Sequence, residues 1–322
     1  MKKEIPNLIL APMAGITDLP FRIICKELGA DTLYSEMLSS TGLHYTLQKN
    51  ISLVNSCKQD FPLIIQLFGN NPKHFASATK IIDNLPKIDE INKSSTPRRP
   101  EGIDINFGCP VKKVMKQDSG CALMRDPKHA KKIIAAVIDN TSLPVSIKIR
   151  AGIDDVSAFD FLQEVSDLNW KTIMVHGRTF HEGFSGDIDF GLIKKIKEKY
   201  PKKEVIANGG IFTPETAKEV FEKTAADGLG IARGCFGNPW IFSQIKEYFA
   251  TGTYTKPTLE EIKKVALRHC ELIEEYKGKG NVVEMRKHLG WYFKGFPEAK
   301  KLRAEFFQVE NLEEIKTILA KF

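Results

Sequence analysis

The chain has 322 residues, of which 42% are hydrophobic and 27% are charged, and its formal net charge is +7. This composition is typical of a globular protein and excludes a largely disordered chain. No apolar run reaches the roughly 18 residues that a membrane-spanning helix needs, and no long apolar segment follows the basic start, so we expect neither a membrane span nor a secretory signal. The mild positive charge permits a polyanionic partner such as RNA but does not by itself indicate one.

The chain contains six cysteines, which are widely scattered and include no Cys-x-x-Cys motif. That spacing predicts reduced thiols without a disulfide framework or a metal site. We therefore expect a cytoplasmic protein, and we expect it to be a monomer.

Short apolar runs rich in β-branched residues alternate with amphipathic helical stretches, which is the pattern of a parallel α/β sheet. Eight runs predict strands, at Leu8–Ala11, Thr32–Glu36, Leu63–Leu67, Ile103–Phe107, Val145–Ile149, Thr172–His176, Glu204–Ala207 and Gly228–Ile231. Two helix starts are marked by Asp126-Pro127 and Thr213-Pro214, because a capping side chain there precedes a proline in the first turn. Eight parallel strands separated by helices predict a (β/α)8 TIM barrel, whose chemistry gathers at the carboxyl ends of the strands.

Two regions depart from this alternation. Residues 86–101 are polar and proline-rich, which predicts a solvated surface loop before the fourth strand, with an RNA-contacting loop as the less favoured alternative. A turn-rich linker begins at Thr251. Beyond it, helices without an intervening strand are predicted near 258–277, 281–293, 297–306 and 311–321. We therefore predict a catalytic barrel domain at residues 1–250 and a small all-helical domain at residues 251–322.

Polar and reactive side chains recur at the carboxyl ends of the predicted strands, where a buried strand would otherwise remain apolar. Each has an ordinary structural explanation when taken alone, because a Gly-Gly pair is most often a turn and a single Gln or His is most often part of the structure. Their recurrence at one strand end after another favours a functional site. The residues are Pro12, Met13, Ala14, Gln66, Asn106, Cys109, Lys148, Arg150, His176, Arg178, Asn208, Gly209, Gly210, Ala232 and Arg233.

The types of these residues indicate a phosphorylated redox cofactor. Glycines after the last two predicted strands let backbone N–H groups approach a phosphate, which Arg233 can neutralise. Gln66 can donate to and accept from the polar edge of a heteroaromatic ring. Lys148 places positive charge beside a ring that becomes anionic on reduction. Flavin mononucleotide (FMN) has one phosphate and one redox ring, and it fits this set of residues.

Five sequence runs carry a family resemblance that covers nearly the whole chain. They are residues 11–22 (APMAGITDLPFR), 104–110 (DINFGCP), 176–179 (HGRT), 208–210 (NGG) and 288–292 (HLGWY). On these runs the chain resembles the tRNA-dihydrouridine synthase family, and the bacterial B-type branch is the most similar. Two positions depart from the family pattern: Gly210 stands where many relatives have Asp, and Ala232 stands where many have Gly.

The resemblance implies an enzyme that carries FMN, takes electrons from NADPH or NADH, and reduces the C5–C6 double bond of uridines in the D-loop of tRNA to 5,6-dihydrouridine. Cys109 falls on the position of the family's proton donor to C5. Asn106, Arg150 and Arg178 are the expected contacts to the substrate. The expected FMN contacts are Pro12, Met13, Ala14, Gln66, Lys148, His176, Asn208, Gly209, Gly210, Ala232 and Arg233.

A thiol also suits this role on chemical grounds. Hydride addition at C6 leaves an enolate whose C5 needs a proton, and a thiol with a pKa of about 8.5 is largely protonated at neutral pH. Free cysteines are commonly small core residues, but the place of Cys109 after a strand-end Asn-x-Gly disfavours that alternative.

Folded tRNA must release the target base from its stack before the base can enter a barrel. Basic residues of the tail are candidates to bind the RNA phosphates, with a solvated helix face as the alternative reading. These candidates are Arg268, His269, Arg286, Lys287, Lys300, Lys301 and Arg303.

Two other hypotheses remain open at this point. The first is a related flavin barrel that acts on a free pyrimidine, such as a dihydroorotate or dihydropyrimidine dehydrogenase. The basic helical tail disfavours it, because a small-molecule enzyme has no use for such a domain. The second is a non-catalytic RNA-binding barrel, which is disfavoured by the joint presence of Cys109, Lys148, His176 and Arg233.

Overall fold

Parallel strands close into a barrel in the computed structural model, which describes residues 5–87, 96–296 and 298–321. The barrel strands are β1 Asn7–Leu10, β2 Thr32–Ser39, β3 Leu63–Phe68, β4 Gly102–Phe107, β5 Val145–Arg150, β6 Thr172–His176, β7 Glu204–Asn208 and β8 Gly228–Ile231. Successive strands are neighbours in the sheet, and β8 pairs with β1, so the barrel has no free edge. All eight predicted strands and the predicted TIM barrel are confirmed.

Helices join the barrel strands. They are α1 Leu19–Glu27, α2 Ser40–Tyr45, α3 Leu47–Asn50, α4 Pro72–Asp83, α5 Lys112–Met115, α6 Pro127–Ile138, α7 Ala158–Val165, α8 Phe190–Lys199, α9 Pro214–Thr224 and α10 Ile241–Thr251. The two predicted helix starts are confirmed, because the side chains of Asp126 and Thr213 accept backbone N–H groups at the starts of α6 and α9. None of the described helices is long and apolar enough to cross a membrane.

The barrel has a large outer apolar layer and a small inner one. The outer layer joins inward faces of the helices to the strands, as Phe75 of α4 and Ile65 of β3 show. The inner layer is a cluster around Tyr34, Met174 and Ile206. Buried polar side chains also lie on the barrel strands, among them Gln66 of β3, Asp104 of β4 and Ser146 of β5.

Residues 88–95 of the predicted surface loop lie outside the described residues. The described end of that segment is more structured than a solvated loop. Thr96–Pro97 forms a short antiparallel strand pair, and Arg98 is buried. Arg99 donates to Asp83 at 2.9 Å, which ties the segment to the end of α4.

The tail is helical, as the sequence predicts. Its helices are α11 Leu259–Lys277, α12 Met285–Tyr292, α13 Ala299–Phe306 and α14 Leu312–Lys321. A 3₁₀ turn at Lys279–Glu284 replaces the start of the helix predicted at 281–293. The tail helices enclose their own hydrophobic cluster, and Leu272 of α11 also packs against Ile23 and Ile24 of α1. The division of the chain at residue 250 stays a prediction.

A cluster of aromatic rings lies between α1 and the tail. Phe21 stacks on His269 with ring centroids 5.5 Å apart, and His288 stands within 5.3 Å of the first ring and 4.6 Å of the second. Both histidines are buried. Burial lowers the pKa of His269 to about 4 and lowers the pKa of His288 well below its usual value. Both imidazoles are therefore neutral in the folded protein at neutral pH.

We expect acid to weaken this interface through its histidines. A histidine whose pKa is lowered by folding binds a proton more readily in the unfolded chain, so stability falls as pH drops from about 6.5 towards about 4. Each histidine can remove up to roughly 1.4 kcal/mol per pH unit in that window. His269→Gln should therefore show a smaller loss of Tm than the unmodified protein between about pH 7.5 and about pH 5.

The matched control is His44→Gln, which replaces an exposed histidine of α2. Its loss of Tm over the same pH range should lie closer to that of the unmodified protein than the loss of the His269→Gln variant does. Identical pH dependence of Tm in the His269→Gln variant and the unmodified protein would contradict the prediction.

Candidate active site

A cavity of about 350 Å³ lies at the carboxyl ends of the barrel strands. Its volume falls within the range of about 300–1,000 Å³ that small-molecule sites occupy. Arg178 is the one predicted site residue that does not line it. The predicted residues on its wall are Pro12, Met13, Ala14, Gln66, Asn106, Cys109, Lys148, Arg150, His176, Asn208, Gly209, Gly210, Ala232 and Arg233.

The sequence did not point to several apolar residues on the same wall, among them Met37, Val111, Phe184, Phe212 and Phe236. Phe184 and Phe212 are 55% and 48% exposed. Both are aromatic residues in segments that follow a strand end, and that combination could have marked them. Met37 and Phe236 carry no such signal, because their local pattern is that of ordinary core residues.

The cavity is positively charged. Lys148, Arg150 and Arg233 line it, and no Asp or Glu of the described ranges does so. Burial, followed by the nearby charge of Arg150, lowers the pKa of Lys148 to about 8. Asp104, which lies behind the wall, offsets part of the charge of Lys148, but the three cations on the wall leave an excess of positive charge. Positive charge that is partly removed from water favours an anionic ligand.

His176 is a neutral imidazole at the centre of this charge. Burial, followed by the charges of Lys148 and Arg150, lowers its pKa to about 2. In the sheet it lies beside Arg150 on one side and Asn208 on the other. A neutral imidazole offers one hydrogen-bond donor and one acceptor, so it can bind polar atoms of a ligand without adding charge.

The turn after β7 requires glycine. Gly209 and Gly210 have φ values of +109° and +73°, in the region that only glycine adopts without strain. A Cβ atom at Gly209 would lie 2.7 Å from Cδ2 of His176. The absence of side chains therefore lets the backbone form this corner of the cavity wall.

Burial lowers the pKa of Arg178, and the charge of the nearby Arg233 is the next largest cause of this shift. Arg178 Nε donates to the carbonyl oxygen of Gly186. Its buried Nη1 has no hydrogen-bond partner within the part of the chain that the structure describes. Buried guanidinium nitrogens are normally satisfied, so this nitrogen is suited to bind an anionic group.

The loop that carries Cys109 is held by hydrogen bonds on both sides. Asn106 Oδ1 accepts the N–H groups of Gly108 at 3.0 Å and Cys109 at 2.9 Å. Arg150 Nε donates to the Gly108 carbonyl at 2.9 Å, and the N–H of Cys121 donates to the Cys109 carbonyl at 3.0 Å. Burial raises the pKa of the Cys109 thiol, so the thiol keeps its proton at neutral pH.

Arg150 braces two loops at once. Besides its contact with Gly108, its Nη1 donates to the carbonyl oxygens of Thr179 at 3.0 Å and Gly183 at 2.9 Å. The guanidinium also lies 5.4 Å from the ring centre of Phe184. These contacts show Arg150 as a residue that positions the loops after β4 and β6, and its contact with substrate stays a prediction.

The tail supports the cavity from outside. Phe236 of the cavity wall stacks on Trp291 of α12, with ring centroids 4.3 Å apart and planes inclined by 8°. Lys287 Nζ donates to the carbonyl oxygen of Gly15 at 2.5 Å, next to the Met13–Ala14 segment of the cavity wall. Residues of α12 therefore support the wall from outside and do not themselves line the cavity.

Several tail cations predicted to bind RNA are held by other parts of the protein or are buried. These are Arg268, which pairs with Glu27, His269, which is buried, Arg286, which donates to the carbonyl of Val309, and Lys287, described above. Lys300, Lys301 and Arg303 on α13 are exposed. Among the predicted candidates, this exposed set is the one that can contact a polyanion directly.

A family model described as dihydrouridine synthase (Dus) matches residues 9–322. The chain belongs to the dihydrouridine synthase family. A probable tRNA-dihydrouridine synthase of Rickettsia bellii is 36% identical, over 98% of this chain and 94% of its own length. The tRNA-dihydrouridine synthase B of Xanthomonas axonopodis pv. citri is 34% identical, over 95% of this chain and 89% of its own length. The tRNA-dihydrouridine synthase B of Pseudomonas putida is 36% identical, over 95% of this chain and 88% of its own length. The resemblance predicted from the sequence is confirmed, and relatives named B are among the most similar.

Two solved structures share the barrel fold with this dihydrouridine synthase family member. One is the 6-hydroxypseudooxynicotine amine oxidase HisD of Pseudomonas geniculata N1, with a TM-score of 0.55 and 11% identity over 84% of this chain. The other is the histamine dehydrogenase of Rhizobium sp. 4-9, with a TM-score of 0.54 and 13% identity over 84%. The chain spans about half the length of each, at 51% and 50%. At these identities the likeness concerns the fold alone.

We expect Gly209→Ala to destabilise the protein by about 1–3 kcal/mol, because the new methyl group would meet His176 in addition to straining the backbone. The matched control is Gly252→Ala, which also has a positive φ, +81°, but has no heavy atom within 4 Å of the added carbon. Urea unfolding should show a larger loss for Gly209→Ala than for Gly252→Ala. Equal losses would contradict a requirement for close packing at this corner.

Proposed function

We propose that this protein reduces uridine in tRNA to 5,6-dihydrouridine, with FMN as its bound cofactor and NADPH or NADH as the electron source. The observation that carries this proposal is a cation-lined cavity whose wall includes the half-buried Cys109 together with a glycine corner and Arg233. The names of the relatives support the same reaction. They describe tRNA-dihydrouridine synthases that this chain matches over most of its length.

The cavity residues suit FMN. Arg233 and the backbone at Gly209 and Gly210 would hold the phosphate. Lys148 and His176 would contact the ring system or the ribityl chain. The remaining assigned contacts are Pro12, Met13, Ala14, Gln66, Asn208 and Ala232. When bound, FMN supplies the hydride that C6 of uridine receives.

Cys109 provides the proton in this proposal. Once C6 carries hydride, the negative charge of the pyrimidine is spread between C5 and the C4 oxygen. A bond forms between C5 and the thiol proton, the S–H bond breaks, and its electron pair stays on sulfur as a thiolate that water protonates again. A thiol whose pKa is raised by burial retains its proton until the base arrives, which suits a general acid.

The tail, residues 251–322, is proposed as the tRNA-binding domain. A uridine must leave its stack to reach the cavity, at a cost of a few kcal/mol, so the RNA must be held firmly around it. The exposed cations Lys300, Lys301 and Arg303 on α13 are suited to contact phosphates. We also propose that the protein acts as a monomer.

Cys109→Ala should bind FMN and oxidise NADPH normally but should lose nearly all dihydrouridine formation, because C5 would have no proton donor. The matched control is Cys121→Ala, which removes a buried neighbouring thiol that does not line the cavity. Flavin absorbance, stopped-flow reduction and mass spectrometry of the tRNA product measure the three steps separately.

Full product yield from Cys109→Ala would remove the proton-donor role. Protein that takes up no FMN would contradict the flavin assignment. Turnover of free uracil or dihydroorotate in place of tRNA would support the small-molecule dehydrogenase instead.

Replacing Lys300, Lys301 and Arg303 with alanine should weaken tRNA binding and lower its dependence on salt, because fewer counterions would be released. FMN content should not change. The matched control replaces three exposed lysines of α8, Lys194, Lys195 and Lys199, and removes the same charge. Equal effects of the two triple variants would show that net charge, and not the tail, governs binding.

A further inference from the structure

A chain of buried polar side chains runs from inside the barrel to the Cys109 loop. Asp104 accepts from Ser146 Oγ at 2.6 Å and from Gln66 Nε2 at 2.7 Å. Gln66 Oε1 accepts from Asn106 Nδ2 at 2.8 Å. Asn106 Oδ1 in turn accepts the backbone N–H of Cys109. Every link of the chain is a hydrogen bond of ordinary length.

Strand register builds this chain. Gln66 of β3 lies beside Asp104 of β4, and Asp104 lies beside Ser146 of β5. Asn106 follows two residues further along β4, so it lies on the same side of the sheet. Asp104 is fully buried and does not line the cavity. The inner end of the chain is therefore separated from any ligand in the cavity.

The groups at the two ends of this hydrogen-bonded chain allow only one orientation of its two side-chain amides. Burial raises the pKa of Asp104 to about 6, which leaves a carboxylate at neutral pH, and a carboxylate can only accept. Gln66 must therefore turn its nitrogen towards Asp104 and its oxygen towards Asn106. At the other end a backbone N–H can only donate, so Asn106 must turn its oxygen towards Cys109. Reversal of either amide would set like groups against each other.

We propose that Asp104 is a positioning residue for Cys109, because it sets the direction of the Gln66 and Asn106 amides and through them holds the loop that carries the thiol. The same direction leaves the second N–H of Gln66 Nε2 without a role inside the chain, so it is available to an acceptor atom of a ligand. The effect on turnover rests on the proposed function. The effect on the reactivity of Cys109 does not.

Substitutions at Asp104 distinguish its effect on the orientation of the Gln66 amide from the effect of its side-chain volume on packing. Asp104→Asn retains an oxygen for Gln66 and gains a nitrogen that can donate to Ser146, so the direction of the chain is preserved. Asp104→Leu is of similar size and offers no acceptor, so the amide of Gln66 loses its orientation. Gln66→Met removes the amide that connects Asp104 to Asn106 and so interrupts the series of hydrogen bonds. Ser146→Ala removes one hydrogen bond to Asp104 but leaves the path to Cys109 intact.

The test is the alkylation rate of Cys109 by iodoacetamide in the full-length protein as purified, followed by mass spectrometry of the peptide that contains it. The other cysteines are buried and serve as internal references. We expect Asp104→Asn and Ser146→Ala to match the unmodified protein within about twofold. We expect Asp104→Leu and Gln66→Met to react several-fold faster, because the loosened loop exposes the thiol.

With tRNA as substrate, Asp104→Leu should lose about tenfold in kcat while the KM for tRNA changes by less than about twofold. Asp104→Asn should restore kcat. Unchanged alkylation in a folded Asp104→Leu protein would overturn the proposal, and Gln66→Met decides in the same way should Asp104→Leu fail to fold. The variants could show the expected alkylation rates of Cys109 while neither they nor the unmodified protein reduces tRNA. That result would contradict the proposed function and would leave the positioning role of Asp104 supported.

Discussion

The pairing of β8 with β1 is the contact on which the rest of the molecule depends. Asn7 to Leu10 lie in parallel register with Gly228 to Ile231. This seam turns an open sheet into a barrel and brings the carboxyl ends of the strands to one mouth. The seam leaves no room for a side chain at Gly228, where a Cβ atom would lie 2.8 Å from the carbonyl oxygen of Asn7. Segments far apart in sequence, such as Met13, Cys109 and Arg233, line one cavity only because the seam is closed.

Removal of water from the mouth of the barrel explains the protonation states of its groups. Burial is the largest cause in each case: it keeps the Cys109 thiol protonated, keeps His176 neutral and weakens the hold of Lys148 on its proton. Asp104 is the acidic member of the buried hydrogen-bonded chain. It lies behind the cavity wall and accepts hydrogen bonds from Ser146 and Gln66. The cavity thus combines positive charge for an anionic ligand with a proton stored on sulfur.

The strands, the helix starts at Asp126 and Thr213 and most of the cavity wall could be predicted from the sequence, because each depends on local pattern or on the ends of parallel strands. The hydrogen bonds that Arg150 and Arg178 make could not. Both side chains reach carbonyl oxygens of the loop after β6, and that loop is placed by the whole barrel and not by its neighbours in sequence. The role of Asp104 was also invisible, since a strand-interior carboxylate has meaning only when its neighbours on β3 and β5 are known.

The stack of Phe236 on Trp291 bears on the order in which this protein matures. Synthesis proceeds from the N-terminus, and all eight barrel strands leave the ribosome before α12 does. A barrel that closes at that stage has one flat aromatic face of its cavity wall uncovered. It also lacks the hydrogen bond from Lys287 to Gly15. The barrel segments supply the residues of the cavity wall, and α12 adds the packing behind Phe236 and the hydrogen bond to Gly15 when it docks. Nascent chains that end before this helix therefore have the wall residues without that support.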